Sequence, residues 1–318
     1  MTAVLAVDLG KTGCRAAVWT EDGAAPLSVH EVPGAPGLAS SGGVIAAETA
    51  VRSAAEAALK DAAVERLRTV CVGAAGAAAA PDAARALAQR LLATMPTDEA
   101  AVTSDAVTAH AGALGGEAGV VLAIGTGAVT VAAAEGAFAF VDGWGPWLGD
   151  EGGGAWIGLA GLRAALRAHD GRGAETALRT AAIEQYGALE HLPATVSRDG
   201  SPARSAAAFA PAVARAAARG DRAAGRILRD AADALADAVS AAARRIGDAP
   251  VPVAVTGGLT HLGAPLLDPL TAALTASAHV LELRPPLGDP LDGARLLALR
   301  RSGPHEPFVT RLRHRERV

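Results

Sequence analysis

Twice along the chain an apolar run ends in a turn of glycine and threonine and resumes at once as a second apolar run. Ala3–Asp8 leads into Gly10, Lys11, Thr12 and Gly13, and Ala16–Trp19 follows. Gly119–Ile124 leads into Gly125-Thr126-Gly127, and Ala128–Ala133 follows. Short apolar runs broken by glycine read as strands joined by a tight turn. A chain carrying such a hairpin in each half is expected to be a duplicated α/β domain pair rather than one continuous core. Its 318 residues allow this, since a domain commonly takes about 100–200.

The segments between the hairpins read as alternating helices and strands. Ser28–Val32 can form a third strand, and 34–43 is a Gly, Pro and Ser loop. Helical periodicity runs from about Ile45 to Ala62 and over Pro81–Ala93, with a buried strand at Thr69–Ala74. Ala100–Thr103 reads as a short strand that delivers Asp105. After the second hairpin comes a glycine-dense stretch, 142–154, then a helix to about His169. Further helices are expected over Thr176–Tyr186, Ser205–Arg219 and Asp221–Gly247, with Asp221 as an N-cap. Val251–Val255 is a strand ending in Gly257-Gly258. Pro265–Ser277 reads as a helix, His279–Leu283 as a strand and Leu291–Arg301 as a helix, and the Arg- and His-rich tail from Ser302 reads as frayed.

Composition removes several classes of function. Hydrophobic residues make up 51% and charged residues 19%, so the chain folds; with 3% aromatics its core is built from small aliphatic side chains. The net charge of −4 carries no signature of nucleic-acid binding. Cys14 and Cys71 cannot supply a disulfide framework or a four-Cys metal site, and both read as buried structural thiols. The opening Met1-Thr2-Ala3-Val4 has no basic n-region of a signal peptide. No apolar run reaches the roughly 20 residues of a membrane span, because Pro211 and Arg215 interrupt even the Ala-rich 206–218 stretch. A soluble cytoplasmic protein without membrane or nucleic-acid partners is expected.

Five places could carry chemistry. In Asp8-Leu9-Gly10-Lys11-Thr12-Gly13 the glycines let backbone N–H groups approach a phosphate, Thr12 adds a hydroxyl, and Asp8 could orient a metal-bound water. An ordinary glycine hairpin is the alternative. Gly125-Thr126-Gly127 is a second such turn, and Gly257-Gly258 a third that would admit a flat adenine or ribose, or simply turn a strand into a helix. Asp105 at a strand end could accept a proton from a substrate hydroxyl, or cap the helix that follows. The stretch Gly143-Trp144-Gly145-Pro146-Trp147-Leu148-Gly149-Asp150-Glu151 combines ring-stacking faces with carboxylates that suit sugar hydroxyls. There Asp150 and Glu151 could instead be first-turn helix residues. The eight His show no metal-ligand spacing.

In order along the chain, DLGKTG (8–13), TSDA (103–106), AIGTGA (123–128), GWGPWLGDEGGGAWIG (143–158) and VTGGL (255–259) resemble the N-acetylglucosamine kinase and BadF/BadG-type group of sugar kinases and ATPases. The resemblance runs from residue 4 to about 300, is most specific in the GDEG block, and is greatest to glucosamine kinases of actinobacteria. It implies an α/β fold of two actin-like (ribonuclease H-like) domains with an interdomain cleft. Residues 1–115 would form the first domain, with a helix at about 288–302 packing back on it, 116–287 the second, and 303–318 a tail.

The resemblance also implies roles. Asp8, Gly10, Lys11, Thr12, Gly13, Gly125, Thr126, Gly127, Gly257 and Gly258 would hold ATP, with Mg²⁺ met by Asp8 through water. Asp105 would be the catalytic base. Ser40, Asp105, Thr126, Gly143, Trp144, Gly145, Asp150 and Glu151 would line the sugar. The implied reaction is ATP-dependent phosphorylation of the 6-hydroxyl of D-glucosamine, with N-acetylglucosamine or glucose as the alternative substrate and a homodimer as one option for assembly. N-acetylglucosamine kinases usually follow the GTG with Ser-Asn, where this chain has Ala128-Val129. They also place an Asn where this chain has Ser40-Ser41-Gly42-Gly43. Two other relatives of the fold fit this sequence less well. A dehydratase activator needs cysteines that bridge a cluster, and a sugar-responsive repressor carries an N-terminal helix-turn-helix.

Overall fold

The computed structural model describes residues 2–198, 201–247 and 250–314. The chain begins with strands β1 (Ala3–Leu9), β2 (Gly13–Thr20) and β3 (Ser28–Pro33), then helix α1 (Gly43–Ala62), β4 (Leu67–Ala74), α2 (Pro81–Thr94), β5 (Thr97–Ser104) and α3 (Asp105–Ala113). A second series follows with β6 (Gly119–Ile124), β7 (Ala128–Ala134), β8 (Ala137–Asp142), α4 (Gly154–His169), α5 (Ala177–Tyr186), α6 (Leu192–Ser197), α7 (Pro202–Ala207), α8 (Ala210–Ala218), α9 (Arg222–Ala243), β9 (Val251–Thr256), α10 (Ala264–Thr275) and β10 (Leu281–Arg284). The chain closes with α11 (Pro290–Leu299) and β11 (Thr310–Arg313).

These elements form two compact units. One comprises the chain up to Ala118, residues 133–138 and the chain from Pro285 onward; the other comprises 119–132 and 139–284. The first sheet has strand order β11-β5-β4-β1-β2-β3 and the second β10-β9-β6-β7-β8. Without β11 the two orders are the same, which is the duplication expected from the paired hairpins.

In the first unit β1 is buried on both faces because its side chains alternate between two cores. Ala3, Leu5, Val7 and Leu9 pack with α1 and α2, and Val4 and Ala6 pack with α3 and α11. β1 pairs antiparallel with β2 and parallel with β4. In the second unit Val120, Leu122 and Ile124 of β6 join a core shared with α4, α8, α9 and α10. Asp221 caps α9 as expected, accepting from the Ala224 amide at 2.9 Å.

Three expectations need correction. The tail is not frayed through residue 314: Thr310–Arg313 pairs antiparallel with β5. The expected helix over 205–219 is two helices, α7 and α8, because Pro211 has no N–H to continue the ladder and its ring crowds the carbonyl four residues back, at Ala207. Asp105 is not the N-cap of α3; Ser104 is, its hydroxyl accepting from the Val107 amide. No helix among the described residues is long and apolar enough to cross a membrane.

Candidate functional site

The predicted residues fall into one cluster in each unit. In the first, Asp8 is the penultimate residue of β1, and the turn after it closes with a Gly10 N–H to Gly13 carbonyl bond of 2.9 Å. The loop after β3 covers this turn from behind. Gly34 donates to the Thr12 carbonyl at 3.1 Å and Ala35 to the Gly10 carbonyl at 3.2 Å. Lys11 and Thr12 are exposed, and among the described residues nothing accepts from their amides. Adjacent free N–H groups of this kind form an anion-binding concavity.

Asp105 starts α3 at the carboxyl end of β5. Leu9, Ala74 and Ser104 stand in register across β1, β4 and β5. Asp105 is therefore level with the glycine turn and two strand spacings away, about 10 Å. Its Oδ1 accepts from the Ala106 amide at 2.9 Å. Burial pushes its carboxyl above the ordinary range, and the Asp8 carboxylate adds to this, opposed by the Ala106 amide and Lys11. A raised carboxylate at the edge of a phosphate-type turn can act as a general base. Ser40 lies exposed in the loop before α1, its amide donating to the Gly37 carbonyl at 2.8 Å.

Arg15 was not anticipated. It stands opposite Asp8 in the β1–β2 register and bonds Asp8 Oδ2 at 3.0 Å and Asp289 Oδ2 at 2.9 Å. The signal was available, since hairpin register alone places residues 8 and 15 side by side. Among the described residues Asp8 Oδ1 has no protein donor.

In the second unit the other two glycine turns meet. β6 and β9 are parallel neighbours with Ala123 opposite Thr256, so Gly257 stands beside Ile124. Its φ is +99°, and a Cβ there would lie 2.2 Å from the Ile124 carbonyl oxygen, which only glycine tolerates. The carbonyls of Gly125 and Thr126 accept from the Gly154 and Ala155 amides of α4, both at 2.8 Å. Thr126 is exposed, and nothing among the described residues accepts from its amide. This turn is thus braced from behind as the first one is.

The loop 143–151 lies at the same turn. Asp150 Oδ1 accepts from the Gly145 amide at 3.1 Å, and a Cβ on Gly127 would stand 2.2 Å from Asp150 Oδ2. Trp144, Trp147 and Leu148 are all exposed. Helix α4 is capped by Gly153, so Asp150 and Glu151 precede the helix and are not first-turn residues. Asp142 also went unanticipated, because no spacing rule links residues 142 and 150 across a glycine loop. Its Oδ1 and Oδ2 accept from the amides of Asp150 and Glu151, each at 2.8 Å.

Both cysteines are fully buried, and burial pushes each thiol up to about 12, with the Asp8 charge adding at Cys14. The described residues hold no group of three or more His, Cys, Asp or Glu able to bind a metal.

The model of a family described as the BadF/BadG/BcrA/BcrD ATPase family matches residues 5–298. Among curated proteins none matches. Among solved structures, a provisionally named N-acetylglucosamine kinase from Chromobacterium violaceum is 29% identical, with a TM-score of 0.73 over 94% of this chain and 99% of that one. A provisionally named N-acetylglucosamine kinase from Porphyromonas gingivalis is 21% identical, with a TM-score of 0.71 over 93% of this chain and 97% of that one. A ROK family glucokinase from Streptomyces griseus, solved with glucose and AMPPNP, is 23% identical, with a TM-score of 0.56 over 93% of this chain and 99% of that one. These likenesses show a shared α/β fold, the two-domain architecture of actin-like ATPases and sugar kinases.

Proposed function

The chain belongs to the BadF/BadG/BcrA/BcrD ATPase family, and from that premise we propose that it is an ATP-dependent sugar kinase that phosphorylates the 6-hydroxyl of D-glucosamine. The observation that carries the reading is Asp105, a carboxylate pushed up by burial at a strand end level with the first glycine turn. Asp105 accepts the proton of the sugar hydroxyl as that oxygen bonds to the γ-phosphorus. The bond from phosphorus to the β–γ bridging oxygen breaks, and ADP leaves. The exposed amides of Lys11, Thr12 and Thr126 receive phosphate oxygens, and Gly257-Gly258 admits the nucleoside.

Mg²⁺ usually keeps several waters and takes only one or two carboxylates. Asp8 fits that demand with one oxygen on Arg15 and the other without a protein donor. Bound there through water, Mg²⁺ would neutralise phosphate charge.

Trp144 offers a face to the sugar ring, and Gly143, Gly145, Ser40 and Asp150 offer polar contacts. The ammonium of glucosamine calls for an anion, which Asp150 or Glu151 supplies. Ala128-Val129 after the GTG removes a polar group that an acetamido substituent would use, and Ser40 stands in the early loop where an Asn would. A second reading, N-acetylglucosamine as substrate, is favoured by the name of the 29% identical structure.

A coupled ADP assay over glucosamine, N-acetylglucosamine and glucose tests both. Glucosamine is expected to lead in kcat/KM by at least about tenfold, the margin of roughly one charge-assisted contact. A lead by N-acetylglucosamine replaces the substrate, and no sugar-dependent ADP with any of them overturns the kinase reading.

A further inference from the structure

We propose that Asp142, a residue outside the expected sugar set, is the positioning residue that fixes the Asp150 carboxylate and so sets affinity for the sugar; this rests on the sugar-kinase reading of the same site. Asp142 ends β8, and its two carboxylate oxygens are spent on consecutive amides, those of Asp150 and Glu151, at 2.8 Å each. Receiving two adjacent N–H groups on one carboxylate fixes the peptide between them in direction as well as distance.

The backbone records that constraint. Asp150 has φ +56° and Asp142 φ +60°, a left-handed conformation that non-glycine residues seldom adopt. Aspartate tolerates it better than most, yet a free loop would relax out of it. Two glycines show how closely the clamp is built. A Cβ on Gly149 would stand 2.2 Å from Asp142 Oδ1, so residue 149 must be bare for Asp142 to reach in. A Cβ on Gly127 would stand 2.2 Å from Asp150 Oδ2, so the held carboxylate lies directly against the second glycine turn. Its other oxygen takes the Gly145 amide. Asp142 thus acts on the sugar contact through Asp150. The Asp142 charge also adds to the burial that pushes the Asp150 carboxyl up.

Asp142→Ala and Asp142→Asn in the full chain test this. Loss of the clamp is expected to raise KM for glucosamine about tenfold or more while kcat and KM for ATP stay within about threefold, a loss of uniform sugar binding. Asn keeps one acceptor oxygen and accepts a positive φ but turns its NH2 toward the other amide N–H, so Asp142→Asn should recover only part of the lost affinity. Amide exchange read by mass spectrometry without substrate should quicken at 150–151 in Asp142→Ala and stay unchanged in α9.

Unchanged exchange at 150–151, or an unchanged KM for sugar beside quickened exchange, overturns the proposal. So does a fall in kcat with KM unmoved. Should Asp142→Ala fail to fold, Asp142→Asn carries the same two readouts at smaller amplitude. If the wild type shows no sugar-dependent turnover, the kinase reading fails, and the exchange experiment still decides whether Asp142 holds Asp150.

Discussion

Gly112 of α3 and Gly293 of α11 face each other where the two helices cross. A Cβ on Gly112 would stand 2.0 Å from the Asp289 carbonyl oxygen, and a Cβ on Gly293 would stand 1.8 Å from that of Thr108. Both obstacles are backbone, so no side chain can swing aside. The crossing matters because α3 begins at Asp105. Gly293→Ala is expected to lower stability by at least about 1–3 kcal/mol through overpacking and to reduce turnover as α3 is pushed away. Denaturant unfolding and kcat measured on one preparation check both effects.

Replacing Asp105 by Asn removes the proton acceptor and keeps the shape. Turnover is expected to fall at least about a hundredfold while sugar binding stays detectable by calorimetry. Near-normal turnover would remove Asp105 from the mechanism.

The pH dependence of stability has an identifiable source. His305 is buried, and its Nε2 meets His110 Nδ1 at 2.8 Å. Burial, helped by His110, pushes the His305 imidazole down to about 3. An imidazole held neutral in the folded state stabilises above its unfolded pKa of about 6.5, and that contribution is lost as pH falls toward 3 because only the unfolded chain takes up the proton. The loss approaches about 1.4 kcal/mol per pH unit for this one group. Denaturant midpoints at pH 7, 6 and 5 should fall more steeply for the wild type than for His305→Gln. Equal slopes would contradict the assignment.

The thiols should be inert in the native state. With both near 12, only about one in ten thousand would be ionised at pH 8. A chromogenic disulfide reagent is expected to find no fast-reacting thiol in native protein and two in denaturant. A fast native thiol would reopen a redox or cluster-bridging role.

The elements legible in the sequence are those whose signals are local. The glycine turns and the strand ending before Asp105 are set by residues adjacent in the chain, so apolar runs and glycine positions sufficed. Strand β8 went unread although Gly136, at φ +74°, turns the chain just before it, because its side chains are all half-buried or exposed and show no buried face. Strand β11 escaped for another reason: Thr310-Arg311-Leu312-Arg313 has a single apolar side chain, Leu312, which packs on the core of the first unit. It is held as well by Arg311 and Arg313, which converge with Arg301 on Glu99, itself 1% exposed. That ion-pair cluster spans more than 200 residues of chain. The Asp142 clamp is likewise a tertiary relation, visible only once β8 returns the chain to the second glycine turn.

The central claim is that a sugar hydroxyl attacks the terminal phosphoryl group of ATP with Asp105 as base. Phosphorus NMR of a mixture of ATP, Mg²⁺ and glucosamine tests it most directly, run with wild type and with Asp105→Asn. The account predicts growth of a sugar 6-phosphate ester matched one for one by ADP in the wild type, and neither signal above background in Asp105→Asn. Release of inorganic phosphate without a sugar ester, or equal ester formation by both proteins, would contradict it.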